Sequence, residues 1–296
     1  MSVEVSKQRL SIACAYPISG LCAGKTSVAR YLIQHHGFTL LTLDRPAATP
    51  AIEKSASDAH ITTNGHYKDT KKHFHDVDAL LDFVTRHWKE HFVTTNVWSQ
   101  EILDVLCRRP FFILLSVDAP ISTRWQRFCK RCSEAGQSPP SLEQFVLQDD
   151  EHMYDSVYGL AALPSQARVK LLNRTSSIDK LWTSLTFLNL TDEGRMRPSW
   201  DHYFMTLASL AARRSNCMRR QVGCVLVRGK RVISTGYNGT PRNITNCNEG
   251  GCPRCNAATQ GGTGLSTCMC VHAEENALLE AGRDRVGDGA VLYCNT

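Results

Sequence analysis

The pair His272 and Glu274 has the residue types and the spacing that metal-assisted proton transfer needs. An imidazole nitrogen is a zinc ligand, and a carboxylate two residues away can carry protons without binding the metal itself. A run of good helix formers, residues 273–281, follows at once, so both side chains are predicted at the start of a helix. The alternative is a histidine that caps a helix or lies on the surface.

Cysteines near this pair have the spacing of a metal-binding knuckle. Eight of the thirteen cysteines lie after residue 213. Cys252-Pro-Arg-Cys255 has the two-residue spacing of closed thiolate zinc sites. Cys217, Cys247 and Cys268 are near enough in the chain to complete four ligands. We predict a structural zinc here and leave the choice of four ligands open; the alternative is a set of free thiols in a long loop.

A second chemical motif lies near the start of the chain. Gly24-Lys25-Thr26 follows a glycine-containing turn and precedes a helical pattern, which resembles a phosphate-binding P-loop. In such a loop the backbone amides and the lysine bind phosphate, and the hydroxyl binds Mg²⁺. The full pattern needs a glycine five positions before Gly24, where Ser19 stands. Phosphate binding and an inactive kinase-like scaffold are therefore both open.

The elements around the P-loop-like segment alternate between strands and helices, which predicts an α/β domain with a doubly wound parallel sheet. Residues 111–117 form a continuous apolar run, which is typical of a buried parallel strand. Asp118 at its end is either a Mg²⁺-side carboxylate or a turn residue. Arg124 and Arg127 lie on a basic helix, which is either a phosphate-binding lid or an exposed amphipathic helix.

The last third of the chain begins after a polar stretch with glycine and proline, residues 191–198, which predicts a linker. Ser199 is a predicted N-cap for the helix that follows. That helix has apolar residues at helical spacing, which predict its buried stripe: Trp200, Tyr203, Phe204, Leu207, Leu210 and Ala211.

Two strands come next, residues 222–228 and residues 231–237, joined by Gly229-Lys230, a two-residue hairpin turn. A long cysteine-bearing loop leads to the helix after His272, and a strand is predicted at residues 290–294. Helix, hairpin, helix and strand in this order predict the opening part of an α/β/α sandwich.

Three motifs in this last third occur in the order of a known enzyme family: Gln221-Val-Gly-Cys-Val-Leu-Val, Ser234-Thr-Gly-Tyr-Asn-Gly-Thr-Pro and His272-Ala-Glu-Glu-Asn-Ala-Leu-Leu. On these motifs residues 198–296 closely resemble the deoxycytidylate deaminases of the cytidine deaminase superfamily. The resemblance is greatest to the fungal type, which carries a degenerate kinase-like N-terminal domain. Residues 9–190 resemble P-loop nucleotide kinases, particularly dephospho-coenzyme A kinase. We predict a kinase-like domain 1–190, a linker 191–198 and a deaminase domain 199–296.

The resemblance implies zinc-dependent hydrolysis of dCMP to dUMP and ammonia, which provides dUMP for thymidylate synthesis. His272 would bind the catalytic zinc, which lowers the pKa of a bound water to about 7. Glu274 would take a proton from that water and deliver protons to N3 of cytosine and to the leaving ammonia. Asn238 would hydrogen-bond the sugar, with a turn role as the alternative.

Regulation and assembly are also implied by the resemblance. The enzyme would be activated by dCTP and inhibited by dTTP, with Mg²⁺ accompanying the nucleotide, and would assemble as a homo-oligomer, often a hexamer. Gly239 lies in the loop 238–242, where relatives bind the effector. Use of a nucleotide rather than a nucleoside requires a phosphate site, whose candidates are Ser215, Asn216, Arg219 and Arg220.

The zinc signature of the family has a second half, Pro-Cys-x-x-Cys, which supplies two more ligands. We expect this half beyond Thr296, with Cys294 as the strand residue before it. Because a catalytic zinc has three protein ligands, residues 1–296 alone are expected to be an inactive and poorly stable fragment. The alternative functions are a P-loop nucleotide kinase and a catalytically dead regulatory protein.

Composition restricts the class of partner. The net charge of +6 suits anionic small molecules, and the absence of a dense lysine and arginine tract argues against a nucleic acid polymer. No apolar run reaches the ~20 residues of a membrane span, and residues 1–10 lack a signal-peptide pattern. We expect a cytoplasmic protein without a membrane partner, with the nucleus as the alternative location. In such a protein we expect the cysteines to be thiols or metal ligands.

Overall fold

The computed structural model describes residues 20–44, 71–156, 159–257 and 260–296. The chain divides into two compact units, Met1–Met196 and Arg197–Thr296, and the division lies within the predicted linker. Ser19 and the strand predicted just before the P-loop-like segment lie outside the described residues.

The described part of the first unit is mixed α/β with parallel strands, as predicted. Its strands form a three-stranded sheet in the order β2-β1-β3 and a separate pair β4-β5, both parallel. The elements in chain order are α1 Lys25–His36, β1 Thr39–Leu43, β2 Lys71–Phe74, α2 Val77–Arg86, β3 Phe92–Thr94, α3 Gln100–Cys107, β4 Leu115–Asp118, α4 Ile121–Glu134, α5 Leu142–Tyr154, α6 Leu163–Gln166, β5 Val169–Leu172 and α7 Ile178–Leu188.

The helices of this unit follow from local sequence signals. The Asp76 side chain accepts a hydrogen bond from the backbone N–H of Ala79, which caps α2. The apolar side of α2 then packs into a core cluster with β1 and β3. The buried strand predicted at residues 111–117 is confirmed in part: β4 begins only at Leu115, and Leu115, Ser116 and Val117 are buried in it.

The basic helix α4 differs from one of the two predictions made for it. Arg124 is only 8% exposed, and its Nη1 lies 2.5 Å from Oδ1 of Asp149 on α5. Arg127 is half-buried and donates hydrogen bonds to the carbonyl oxygens of Cys22 and Ala23. These guanidinium groups are occupied inside the unit, so the phosphate-binding lid is wrong. Arg124 is the one buried residue of α4, and the rest of the helix fits the exposed amphipathic alternative.

The second unit is a three-layer sandwich. Its elements are α8 Trp200–Ala212, β6 Gly223–Arg228, β7 Arg231–Tyr237, α9 Pro253–Asn256, α10 Ala273–Ala281, α11 Arg283–Val286 and β8 Val291–Cys294. The antiparallel sheet has the order β7-β6-β8, and the predicted hairpin is confirmed by the pairing of β6 with β7. Val225 and Val227 pack toward α8, whereas Cys224 packs toward Ala273 and Ala277 of α10.

Two glycines let the helices approach the sheet closely. A Cβ at Gly223 would lie 2.1 Å from the backbone nitrogen of Ala212 in α8. A Cβ at Gly236 would lie 2.0 Å from the carbonyl oxygen of Ala273 in α10. The backbones of the two helices therefore rest directly on β6 and β7.

Helix α8 begins as predicted but buries only part of the predicted stripe, Phe204 and partly Leu207. The Ser199 side chain accepts a hydrogen bond from the N–H of His202, which confirms the predicted cap. The buried residues are Phe204, Ala208 and Ala212. Three large members of the predicted stripe, Trp200, Tyr203 and Leu210, are exposed. The small alanines face the sheet because only they fit beside Gly223.

Candidate active site and cysteine cluster

The N-terminus of α10 positions the pair His272 and Glu274. The helix spans Ala273–Ala281, the residues predicted for it. His272 is the extended N-cap residue and its side chain is exposed, whereas Glu274 lies in the first turn and is half-buried. Both side chains thus lie at the end of a helix where unpaired backbone amides favour negative charge.

The carboxylate of Glu274 has a sulfur partner on the sheet. The thiol of Cys294, at the end of β8, donates a hydrogen bond to Oε1 of Glu274 at 3.0 Å. This bond holds the pKa of Glu274 below its ordinary value. Burial, and then the adjacent carboxylate, raise the pKa of Cys294 to about 12. Glu274 is therefore ionised at neutral pH and ready to accept a proton.

Asn238 connects the end of β7 to the start of α10. Its Oδ1 accepts a hydrogen bond from the backbone N–H of Ala273 at 2.8 Å, and its Nδ2 donates to the carbonyl oxygen of Arg220 at 3.3 Å. Through the contact with Ala273, Asn238 positions the helix that carries Glu274. An amide nitrogen carries two hydrogens, and the contact with Arg220 uses one of them. The sugar contact of Asn238 stays a prediction.

The residues predicted for phosphate or effector binding lie around Asn238. The hydroxyl of Ser215 donates to the carbonyl oxygen of Asn238 at 2.6 Å. Asn216 accepts a hydrogen bond from the N–H of Thr240 at 3.3 Å, beside Gly239. Arg219 is half-buried. The structure thus brings Ser215, Asn216, Asn238 and Gly239 together, although no ligand contact tests their roles.

Gly239 also pairs with the residue that precedes His272. The backbone N–H of Val271 donates to the carbonyl oxygen of Gly239 at 2.8 Å, and the N–H of Gly239 donates back at 3.3 Å. The chain entering α10 is therefore held by the loop that leaves β7.

The described residues do not complete a catalytic zinc site around His272. Three groups of His, Cys, Asp or Glu ligand atoms lie close enough together to hold an ion within the ranges that the structure describes, and none includes His272. One group joins Asp44, His73 and His75 on the surface of the first unit. The other two consist of cysteines.

Six cysteines converge beside the active-site helix. They form two groups of four, and in each group all sulfur atoms lie within 4.8 Å of one another. The first group is Cys217, Cys247, Cys255 and Cys270, and the second is Cys252, Cys255, Cys268 and Cys270. The knuckle Cys252–Cys255 lies in the cluster, as do the three partners predicted for it. Cys270 was missed by sequence reasoning.

The pKa values of these thiols are shifted in opposite directions. Burial raises the pKa of Cys255 and of Cys270. Burial also acts to raise the pKa of Cys252, but N–H donors from Cys255 and Met269 outweigh it and bring the value to about 6. Six crowded sulfurs cannot all ionise without a cation between them.

The P-loop-like segment is partly filled by side chains of its own unit. Gly24 has a left-handed backbone, φ 116°, and directly precedes α1, in whose first turn Lys25 and Thr26 are half-buried. The N–H of Leu21 in the preceding turn donates to Oδ1 of Asp149 at 2.8 Å. A carboxylate of the protein therefore occupies a backbone amide in the turn where a bound phosphate would need donors.

Asp118 has a structural partner of its own. It is exposed at the end of β4, and its Oδ1 accepts a hydrogen bond from the backbone N–H of Ala119 at 2.7 Å. This contact is that of a turn residue, one of the two predictions made for it.

Comparison with known proteins decides the family. The chain is 46% identical over 277 residues to the deoxycytidylate deaminase of Schizosaccharomyces pombe, which covers 93% of this chain and 81% of the relative. The chain belongs to the deoxycytidylate deaminase family. The deoxycytidylate deaminase of Saccharomyces cerevisiae is also 46% identical, over 76% of this chain and 73% of its own length. The family predicted from three motifs is thereby confirmed.

The zinc-binding part of the family maps to the second unit. The family model described as the cytidine and deoxycytidylate deaminase zinc-binding region matches residues 198–296. A crystal structure of dCMP deaminase from the cyanophage S-TIM5, in complex with dCMP and dUMP, is 32% identical over 33% of this chain and 66% of that chain, with a TM-score of 0.25.

Two contacts of this deaminase-family chain were not predicted. The Cys294 thiol was expected to be an ordinary strand residue, yet it contacts the carboxylate of Glu274. Asp149 was not singled out, yet it contacts both the P-loop-like turn and Arg124. A sequence signal existed only for Cys270, whose one-residue spacing from Cys268 is that of a metal-ligand pair.

Proposed function

We propose that the protein catalyses the hydrolytic deamination of dCMP to dUMP and ammonia. The observation that carries this proposal is the 46% identity, across 93% of the chain, to a protein named deoxycytidylate deaminase. The arrangement of Glu274 at the start of α10 agrees with it, because hydrolysis of an amidine needs a carboxylate that is ionised at neutral pH and placed to move protons.

Glu274 is the proposed catalytic residue. It takes a proton from the attacking water and delivers protons to N3 of the cytosine ring and to the departing ammonia. The thiol of Cys294 orients the carboxylate through the 3.0 Å hydrogen bond. Asn238 holds the first amide of α10 and so positions Glu274 relative to the sheet.

Zinc belongs to this proposal through the family's zinc-binding region, residues 198–296. His272, two residues before Glu274, is the one residue that we assign to the catalytic zinc. Within the described part of the chain, His272 has no two further ligand atoms close enough to complete a three-ligand site. The catalytic roles above are therefore limited to the chain's own side chains.

The loop that precedes β6 is the proposed phosphate site. Ser215 and Asn216 lie against Asn238 and Gly239, and Arg219 and Arg220 add positive charge to the same loop. A nucleotide phosphate carries negative charge that these groups can bind through charge-assisted hydrogen bonds. This arrangement supports dCMP over the unphosphorylated nucleoside.

The test is ammonia release from dCMP, measured beside binding of dCMP by calorimetry. We expect turnover by the zinc-loaded wild-type protein in a full-length form that carries the second half of the zinc signature. In that form we expect a loss of at least about 100-fold in kcat for Glu274→Gln, and no such loss for Glu275→Gln, the exposed neighbour. Deoxycytidine is expected to bind more weakly than dCMP. A wild-type protein that neither binds nor deaminates dCMP would overturn the proposal.

Effector control is proposed with dCTP as activator, dTTP as inhibitor and Mg²⁺ as the companion of the triphosphate. The support is the pairing of Gly239 with Val271, which joins the loop 238–242 to the residue before His272. An effector that moves this loop would move the active-site helix.

A homo-oligomer, with a hexamer as the leading form, is proposed on the exposed apolar side chains of the second unit, which light scattering can test. They include Trp200, Tyr203, Leu210, Leu278, Leu279 and Val291. We also propose a structural zinc at the cysteine cluster, where the thiolate donor set and the buried sulfurs suit this ion.

The first unit is proposed to be a P-loop-kinase-like scaffold without phosphoryl transfer. The support is the carboxylate of Asp149 on the amide of Leu21, in the turn that phosphate would need. No helix among the described residues is long and apolar enough to span a membrane. A cytoplasmic location, with the nucleus as the alternative, is proposed because all cysteines within the described residues are free of disulfides.

A further inference from the structure

We propose that the six-cysteine cluster binds two zinc ions, with the sulfurs of Cys255 and Cys270 bridging between them. The inference rests on the proposed structural zinc and deepens it from one ion to two. It does not depend on the deaminase activity.

The sulfur spacing is that of thiolates around a tetrahedral ion. With a Zn–S bond of about 2.3 Å, two sulfurs of one tetrahedron lie about 3.8 Å apart. The sulfur–sulfur distances are 3.8 Å for Cys217 and Cys255, 3.9 Å for Cys255 and Cys270, and 4.0 Å for Cys252 and Cys268. A disulfide would bring two sulfurs to about 2.05 Å, so these pairs are not oxidised cystines.

The sharing of sulfurs points to two ions. Each ion needs four thiolates, and the cluster supplies two complete sets from only six residues because Cys255 and Cys270 belong to both. One ion in the first set would leave Cys252 without metal, and one ion in the second set would leave Cys247 without metal. Both of these residues are fully buried, with 0% exposure.

Cys252 and Cys247, one of which a single ion would leave without metal, both accept backbone hydrogen bonds that favour a thiolate. The N–H of Met269 donates to the Cys252 sulfur at 3.3 Å, and the N–H of Met218 donates to the Cys247 sulfur at 3.4 Å. Backbone donors aimed at sulfur stabilise its ionised form. Since each buried set has such a donor, each set has the features of an occupied site.

The donor chemistry suits zinc. All six ligands are soft thiolates, which suit zinc and exclude the oxygen-preferring Mg²⁺ and Ca²⁺. Each sulfur binds as a thiolate, and its proton goes to the solvent. Two Zn²⁺ and six thiolates carry a net charge of about −2 by formal counting, and the Arg254 guanidinium lies 3.6 Å from the Cys268 sulfur to offset part of it.

The two-ion cluster would fasten three loops of the active site together. Cys217 follows Ser215 and Asn216, Cys247 ends the loop that begins at Gly239, and Cys270 precedes His272 by two residues. Because the shared sulfurs belong to both sets, each ion would help to hold the ligands of the other in place. The cluster is thus a positioning device for the loops around Glu274.

The first experiment counts ions in the whole protein with His272→Ala, which removes any contribution from the catalytic site. We expect two zinc ions per chain by mass spectrometry of the metal. After replacement by ¹¹³Cd, we expect two NMR signals, each split by the other through the shared sulfurs. One ion per chain, two unsplit cadmium signals, or the visible absorption of an iron–sulfur cluster would overturn the inference.

The second experiment uses three cysteine variants, each made in the His272→Ala protein and equilibrated with a zinc chelator. Cys247→Ser and Cys268→Ser each disturb one set, so each is expected to keep one ion. Cys270→Ser disturbs both sets and is expected to keep none. Cys107→Ser, an exposed cysteine outside the cluster, is the matched control and should keep two. If either Cys247→Ser or Cys268→Ser keeps the wild-type ion count, the two-ion cluster is refuted.

These readouts separate the inference from the proposed function. A protein with two coupled cadmium signals and no deamination of dCMP keeps the cluster and loses only the function. A protein that deaminates dCMP and binds one ion in the cluster keeps the function and loses the cluster.

Discussion

The substitution Gly236→Ala tests whether the sheet sets the position of the active-site helix. The added Cβ would lie 2.0 Å from the carbonyl oxygen of Ala273 and 2.4 Å from the backbone nitrogen of Ala277. Ordinary contact for a Cβ begins at 3.4 Å, and a helix backbone cannot swing aside as a side chain can. Helix α10 must therefore move away from β7 by more than an ångström, and it takes Glu274 with it.

The expected effects follow from that displacement. Overpacking of this kind costs about 2 kcal/mol or more, which in a unit of 100 residues lowers the Tm by roughly 10 °C. A catalytic group misplaced by an ångström loses about 100-fold in rate. We therefore expect a lower Tm together with a large fall in kcat for dCMP, measured by calorimetry and by ammonia release.

The matched control is Gly261→Ala. A Cβ at Gly261 meets no atom within 4 Å, and its backbone is not in the left-handed region. This variant should keep the Tm and the turnover of the wild-type protein. If Gly236→Ala behaves like Gly261→Ala in both measurements, the close approach between β7 and α10 does not position the active site.

Three further predictions concern single polar contacts. Asp149→Ala should destabilise the first unit by about 3–5 kcal/mol in urea, because it strands a buried arginine, whereas the exposed Asp150→Ala should change stability by less than about 0.5 kcal/mol. Asn238→Ala should cost about 1 kcal/mol of thermal stability through the lost acceptor at the start of α10, and Asn238→Asp, which keeps that acceptor, should restore it. Tyr293 donates a hydrogen bond to Asp201, and that bond raises the pKa of the phenol above 10.0. The hydrogen bond therefore stabilises the folded protein fully below pH 10, and this stabilisation disappears as the pH rises through the raised pKa. Asp201→Asn should lower the pKa of Tyr293, which the difference in tyrosinate absorbance at 295 nm between the two proteins measures; identical titrations would contradict the assignment.

The second unit could be predicted where local signals decide structure. The turn Gly229-Lys230 fixed the hairpin, because both residues have the left-handed backbone that a two-residue turn requires. Ser199 marked the start of α8, and the helix formers after His272 marked α10. These features depend on residues within a few positions of each other, which the sequence presents directly.

Contacts between distant segments could not be predicted in the same way. Hydrophobicity alone placed Trp200 and Tyr203 in the core, but the space beside Gly223 admits only the alanines of α8. Arg124 gave no sign that it would be buried, because its partner Asp149 lies 25 residues away. Cys270 lies in the cluster because two other loops place their cysteines beside it, and its position in the sequence does not show this contact.

The position of Glu274 depends on polar contacts more than on hydrophobic packing. The buried face of α10 consists of alanines, and a methyl side chain buries little apolar area. Four hydrogen bonds attach the start of the helix to β7 and its following loop: Ala273 N–H to Asn238, Val271 N–H and Gly239 N–H to each other's carbonyls, and Asn276 Nδ2 to the carbonyl of Tyr237. At about 1 kcal/mol each, these bonds exceed what three alanine side chains supply. The geometry of the site is therefore set by directional bonds. Removal of the zinc that we propose for the adjacent cysteine cluster should disturb the site before it unfolds the sheet.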